Sequence, residues 1–185
     1  MSNIELVKKF RPIFIFSKGE NYYPINKTFL RKNNIGTKNN IKIPKDVFKD
    51  LPFPIEPLYY HIIDEDKNRI AVAYILIFPY TQSSFFSLIG TRCNIASCVV
   101  VIDKNTKTLS EIYYWNSGRS EFKTKTSRPV VYISANEHKF LKELNKNARG
   151  LRWEPYLVED FDLKSLKNKK IESKGFDCFL KNYNL

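Results

Sequence analysis

Hydrophobic positions in this chain gather into short runs broken by polar, turn-forming clusters, the pattern of strands. Pro12-Ile13-Phe14-Ile15-Phe16 is β-branched and aromatic and is stopped by Ser17-Lys18-Gly19. Leu58 to Ile63 and Ile70 to Phe78 predict a hairpin, because Asp64-Glu65-Asp66-Lys67-Asn68 between them is wholly polar. A strand-like segment from Thr81 to Gly90 follows. Cys98 to Ile102 and Leu109 to Trp115 then predict a second hairpin across the polar turn Asp103-Lys104-Asn105-Thr106-Lys107. Pro129 to Ile133 reads as a further buried strand.

Three stretches break this pattern. Lys27 to Lys45 is polar and predicts a surface loop or a short helix followed by a loop. Pro44, Pro52, Pro54 and Pro57 then exclude a regular helix. From Ala135 to Ala148, Phe140, Leu141 and Leu144 recur at helical spacing among lysines, which predicts the one sizeable helix. After Asp162 a lysine-rich stretch leads to Phe176, Phe179, Leu180 and Tyr183, aromatics expected to dock the tail onto the body. Strands in succession with few helices argue a mainly β fold, a β-sandwich with one peripheral helix. The sandwich is expected over residues 1–150, with 151–185 a C-terminal extension packed on the same domain.

Length and composition narrow the picture. At 185 residues the chain can bury a core without disulfide staples, and 15% aromatic content excludes a disordered chain. A membrane-spanning helix needs about 20 apolar residues; the longest run, Ile70 to Tyr80, is interrupted by Pro79. The first residues lack an apolar signal region, so a cytoplasmic or virion-associated protein is expected. Cys93, Cys98 and Cys178 make an odd count that fits reduced, structural thiols. Lys and Arg number 31 against 19 acidic residues, a net charge of +12 that favours contact with polyanions. Lys, Asn, Ile and Phe also rise with AT-rich coding, so the charge has a second reading as residue bias.

Candidate chemistry is sparse. With 6 glycines, no phosphate-cradling loop is present, and with 2 histidines, His61 and His138, no histidine-rich metal site. Asp64-Glu65-Asp66 could offer oxygen ligands to a cation but sits where a solvated turn is expected. Glu154, Glu159, Asp160 and Asp162 are a second acidic group, open to the same two readings. Arg119, Lys123, Lys125 and Arg128 are expected on an exposed loop beside Tyr113, Tyr114 and Trp115. Basic side chains next to aromatics suit a partner-binding surface, and the same combination can track phosphates and stack bases.

The order of these pieces resembles the vacuolar-protein-sorting 62 family of β-rich domains, found in fungi, plants, bacteria and large DNA viruses. The resemblance covers Phe10 to His138. It opens at Phe10-Arg11-Pro12-Ile13-Phe14-Ile15-Phe16 and Glu20-Asn21-Tyr22-Tyr23-Pro24, the latter similar to an acidic-x-aromatic-aromatic-Pro element. Leu58-Tyr59-Tyr60 and Ala73 to Tyr80 are similar to the central aromatic strand, with Thr81 where the family usually has Asn. Gly90-Thr91-Arg92-Cys93-Asn94-Ile95-Ala96 takes the place of a Gly-Asp-Trp-Glu signature. The same run resembles a decayed Gly-His-Arg-His-Asp-Trp-Glu motif of the necrosis-inducing toxin-like proteins. Arg128 to His138 resembles the family's Pro-Val-Val-Tyr strand and the histidine after it.

The departures set the functional expectation. Asn94, Ile95 and Ala96 stand where the motif has Asp, Trp and Glu. A hard divalent cation wants carboxylate oxygens, and Ala96 has no ligand atom, so no metal and no cofactor are expected. Arg92, Asn94 and His138 are left as a degenerate motif pocket. The expectation is a non-catalytic binding or structural module, a viral structural or host-interaction protein, docking a protein or polyanionic partner through its basic surface. A sequence-independent nucleic-acid binder is the alternative, followed by a toxin-like or hydrolytic enzyme using His138.

Overall fold

The computed structural model describes residues 1–32, 53–82, 90–114, 118–125 and 127–159. Helix α1 spans Asn3–Lys9 and strand β1 Ile13–Ser17; α2 is Lys27–Lys32. Strands β2 to β6 are Leu58–Glu65, Arg69–Gln82, Gly90–Asp103, Thr108–Tyr114 and Gly118–Lys125. Then come β7 (Val130–Ile133), β8 (Phe140–Leu141), a 3-10 turn at Lys146–Ala148, β9 (Arg149–Trp153) and β10 (Leu157–Glu159). Two sheets form, one ordered β8-β7-β1-β9 and the other β10-β2-β3-β4-β5-β6. The fold is mainly β, as the run pattern predicts.

Strand periodicity explains where the core lies. Alternate residues of a strand face one side, so Phe14 and Phe16 of β1 meet Ile70, Val72, Tyr74, Leu76 and Phe78 of β3 in one cluster between the sheets. Helix α1 closes one end of it. Ser2 and Glu5 form a capping box that fixes the helix start, which places Leu6, Val7 and Phe10 in the core. The Tyr74 hydroxyl, fully buried, donates to the Val7 carbonyl at 2.9 Å. Cys98, opposite Tyr74 in the β3–β4 register, is also fully buried, and burial pushes its thiol up. Ala71, Ala73, Val99 and Val101 make a second small cluster, to which Ile63 and Tyr113 are packed.

Two predicted elements are corrected. Residues Ala135 to Ala148 are not a helix. Asn136 and His138 adopt left-handed backbone angles, φ 59 and 55, which cannot propagate a right-handed helix. The chain instead turns sharply, with Lys139 N–H on Ser134 Oγ at 3.0 Å, and Phe140 pairs with Ile133 as β8. Helical spacing of Phe140 and Leu141 is overridden because the sheet and the core claim Phe140, 1% exposed. The only helix of comparable size among the described residues is α1 at the N-terminus. Arg119 to Lys125 is likewise a strand, β6, and not a loop: Arg119 pairs with Tyr113 and Lys125 with Leu109. It is an edge strand, where a polar sequence is expected because bare edges invite aggregation.

Strand β9 runs across residue 150, the boundary assigned from sequence, pairing antiparallel with β1, and β10 adds to the edge of the other sheet beside β2. The segments 33–45 and 83–89, Trp115, Cys178 and the aromatic tail lie outside the described residues.

The carboxylates of Asp64-Glu65-Asp66 and Glu154 are bonded within the fold, while Asp160 and Asp162 lie outside the described residues. Asp66 accepts the N–H groups of Asn68 and Arg69 at 2.7 and 2.8 Å, and Glu65 accepts from Lys104 at 3.0 Å and Asn3 at 2.6 Å. Asp103 accepts from Asn105 and Thr106, and Glu154 is held between Arg152 and Arg128. These hydrogen bonds hold all four carboxyls below their ordinary range. A carboxyl depressed in the folded state contributes stability above its unfolded value, and that contribution is lost as pH falls through the folded value. The melting temperature is therefore expected to be level near neutrality and to drop as pH is taken from about 5 to 3, spanning the unfolded Asp and Glu values of about 3.9 and 4.3. Calorimetric scans across that range check it; a melting temperature that stays level would contradict these bonds.

Candidate functional site

The motif histidine sits in a knot between two loops. After β1 the chain turns at Gly19, whose φ of 82 suits glycine, and carries Glu20 inward. After β7 the 134–139 turn carries His138 to meet it. His138 Nε2 lies 3.2 Å from Glu20 Oε1, and both side chains are fully buried. Glu20 also accepts the Tyr22 N–H at 2.7 Å through Oε1 and the Asn136 N–H at 3.0 Å through Oε2. Asn136 Oδ1 accepts the Asn21 N–H at 3.1 Å, so each loop holds the other. Both carboxylate oxygens already accept N–H groups, so the imidazole meets this carboxylate as a donor.

Strand β3 supplies the floor. The Phe78 ring stacks on His138 with centroids 3.7 Å apart and planes 13° from parallel. Phe78 is opposite Asn94 in the β3–β4 register, Tyr80 opposite Arg92 and Leu76 opposite Ala96. The backbone at Asn94 and the ring of His138 thus share one neighbour, Phe78. Of the degenerate motif pocket, the structure describes His138 on Phe78 and the strand positions of Asn94 and Arg92, opposite Phe78 and Tyr80.

What this arrangement can do chemically is limited. A nucleophile or general base needs a reachable proton and a site for the reacting atom; here the histidine is 2% exposed and the carboxylate is spent on two backbone donors and the imidazole. Ala96, buried in the core, offers no ligand atom where the motif has a carboxylate. Among the described residues, no group of three or more His, Cys, Asp or Glu is placed to hold a metal ion.

Arg119, Lys123 and Lys125 lie along edge strand β6. Arg128 is engaged within the fold: its Nε donates to the Arg11 carbonyl at 2.9 Å and its Nη1 meets Glu154 at 2.6 Å. It ties the start of β1 to β9. Glu20, Asn136 and Phe78 carry the histidine site, and sequence reasoning did not single them out. The one signal for Glu20 is its place in the acidic-x-aromatic-aromatic-Pro element.

No protein-family model and no curated protein matches the sequence. The fold does match solved structures. Necrosis and ethylene inducing protein 2, from the causal agent of cocoa's witches' broom disease, aligns with a TM-score of 0.52 at 17% identity, covering 85% of this chain and 74% of that one. The protein NLPPya in complex with glucosamine aligns at 0.51 and 14% identity, covering 84% and 72%. A structure described as a toxin fold for microbial attack and plant defence aligns at 0.50 and 14% identity, with the same coverage. The chain shares the fold of the necrosis-inducing proteins. The toxin-like half of the sequence resemblance is thereby met at the level of fold, while nothing in these comparisons supports the vacuolar-protein-sorting 62 half.

Proposed function

We propose that this chain is a non-catalytic binding module built on the necrosis-inducing toxin fold, and that it recognises a sugar of the amino-hexose class without a metal ion. The observation that carries the proposal is the sealed Glu20–His138–Phe78 stack. Its polar atoms are bonded within the fold, so this stack offers no free reactive group, which supports a role carried by shape and surface. The sugar comes from a protein of similar fold solved with glucosamine. Titration calorimetry with glucosamine, with and without a chelator, tests it. The expected result is saturable binding that the chelator leaves unchanged. Binding abolished by the chelator, or no binding of glucosamine, would overturn it.

The charge of +12 favours a second reading, a polyanion-binding surface that includes Arg119, Lys123 and Lys125 on β6. Affinity for a labelled single-stranded DNA should then fall steeply between about 50 and 200 mM salt, because each neutralised phosphate releases counterions. Reversing the charge at Lys123 and Lys125 should flatten that slope.

A further inference from the structure

A cavity of about 420 Å³ opens between Phe53-Pro54-Ile55-Glu56, which leads into β2, and Leu151-Arg152-Trp153 of β9. Its size falls within the about 300–1,000 Å³ usual for small-molecule sites. Most of its lining residues are apolar: Pro54 is buried, and Ile55 and Leu151 are half-buried. Trp153 rests on Phe14 and Phe16 at centroid distances of 5.8 and 6.3 Å, which fixes the β9 side to the core. Phe53 is 59% exposed, so one aromatic ring of the lining is open to solvent.

Two polar lining residues have hydrogen-bonding capacity to spare. The Arg152 guanidinium is held by Glu154 through Nε at 2.7 Å and Nη2 at 2.6 Å, which orients it and leaves Nη1 an unused donor among the described residues. The Glu56 carboxylate makes no hydrogen bond or ion pair among the described residues, while its backbone carbonyl is pinned by Asn26 at 2.6 Å. The charges balance. Arg128 and Arg152 share the single carboxylate of Glu154, and the one guanidinium charge left over is offset by Glu56. In a chain whose net charge is +12, this place is neutral and gives neither an anion nor a cation a net counter-charge.

An occupant matched to these groups is uncharged, carries hydroxyls that both donate and accept, and has one apolar face. A pyranose ring meets all three conditions. We propose that this cavity seats one hexopyranose, its C–H face against Phe53, with one hydroxyl donating to the Glu56 carboxylate and a ring or hydroxyl oxygen accepting from Arg152 Nη1. The inference rests on the sugar reading above and gives that sugar a place outside the histidine knot. It also narrows what is recognised: the ring and its hydroxyls, and not the ammonium of an amino sugar.

Titration calorimetry of the full chain with glucose and with glucosamine tests it. The two are expected to bind within about threefold of each other, and glucose affinity should stay level from about 50 to 200 mM salt, because an uncharged ligand has no ionic contact to screen. Glu56→Ala is expected to weaken glucose binding by about tenfold, the worth of a hydrogen bond to a charged acceptor. Phe53→Ala should weaken it by about three- to tenfold through loss of the aromatic face. Both side chains are exposed, so the melting temperature should hold. Glucosamine binding that both variants leave unchanged overturns this placement and leaves the sugar reading standing. Glucosamine binding more than about tenfold tighter than glucose also overturns it, because the ammonium would then be the recognised group. No binding of either sugar overturns the sugar reading and this placement with it.

Discussion

Glu20→Ala is expected to lose about 3–5 kcal/mol of folding stability, because it removes a buried acceptor from three donors, each costing about 1–3 kcal/mol when left unsatisfied. The side chain is fully buried and does three jobs at once. Without it the Tyr22 and Asn136 N–H groups lose their acceptor, and the His138 ring keeps its buried position with no carboxylate to face. Urea unfolding measures the loss. Glu20→Gln is the informative companion, since the amide keeps one acceptor oxygen at the same place and should retain part of the stability. A His138→Phe change made with Glu20→Gln removes both ends of the pair; it should recover stability relative to Glu20→Ala, because replacing both partners of a buried pair is milder than removing one. A loss below about 1 kcal/mol for Glu20→Ala would mean that water reaches the knot.

Phe78→Ala is expected to be comparably damaging, about 3–5 kcal/mol, because it deletes a fully buried aromatic from the centre of the core. The loss has two parts that a double-mutant cycle with His138→Ala separates. The ring stack at 3.7 Å should appear as a coupling energy of about 0.5–1.5 kcal/mol between the two positions. The remainder is the cavity left beneath the 134–139 turn. Phe78→Leu, which fills most of that space without a π face, should restore most of the stability and little of the coupling. A coupling indistinguishable from zero would show that the imidazole rests on Phe78 without drawing stability from it.

The fold was legible where local pattern and tertiary structure agree. The β2–β3 and β4–β5 hairpins announce themselves as apolar runs flanking polar turns, and the turns are the ones Asp66 and Asp103 organise. It was not legible where a distant partner decides. Phe140 and Leu141 have helical spacing to Leu144, but pairing with β7 and two left-handed residues take them into a strand. Strand β6 lies at the edge of its sheet among the described residues, where a polar sequence is expected, and this makes it look like a loop. The candidate site divides the same way. His138 and Asn94 stand out through motif resemblance, and the register places them around Phe78. Glu20 is 118 residues from His138, and nothing local in either loop announces the other.

The neighbours of β1 impose an order on synthesis. Ile13 pairs with Val130 and Ser17 with Arg149, so β1 leaves the ribosome well before its described partners, which follow only when almost all of the described chain has been made. The β2–β6 meander pairs each strand with the one just made and can assemble as it emerges. Until β7 and β9 arrive, Phe14 and Phe16 have only one wall of the core to rest on, and contacts of such long sequence separation form slowly. A nascent chain stalled before residue 130 would therefore carry a formed sheet and an unpaired aromatic strand, the kind of species on which chaperones act.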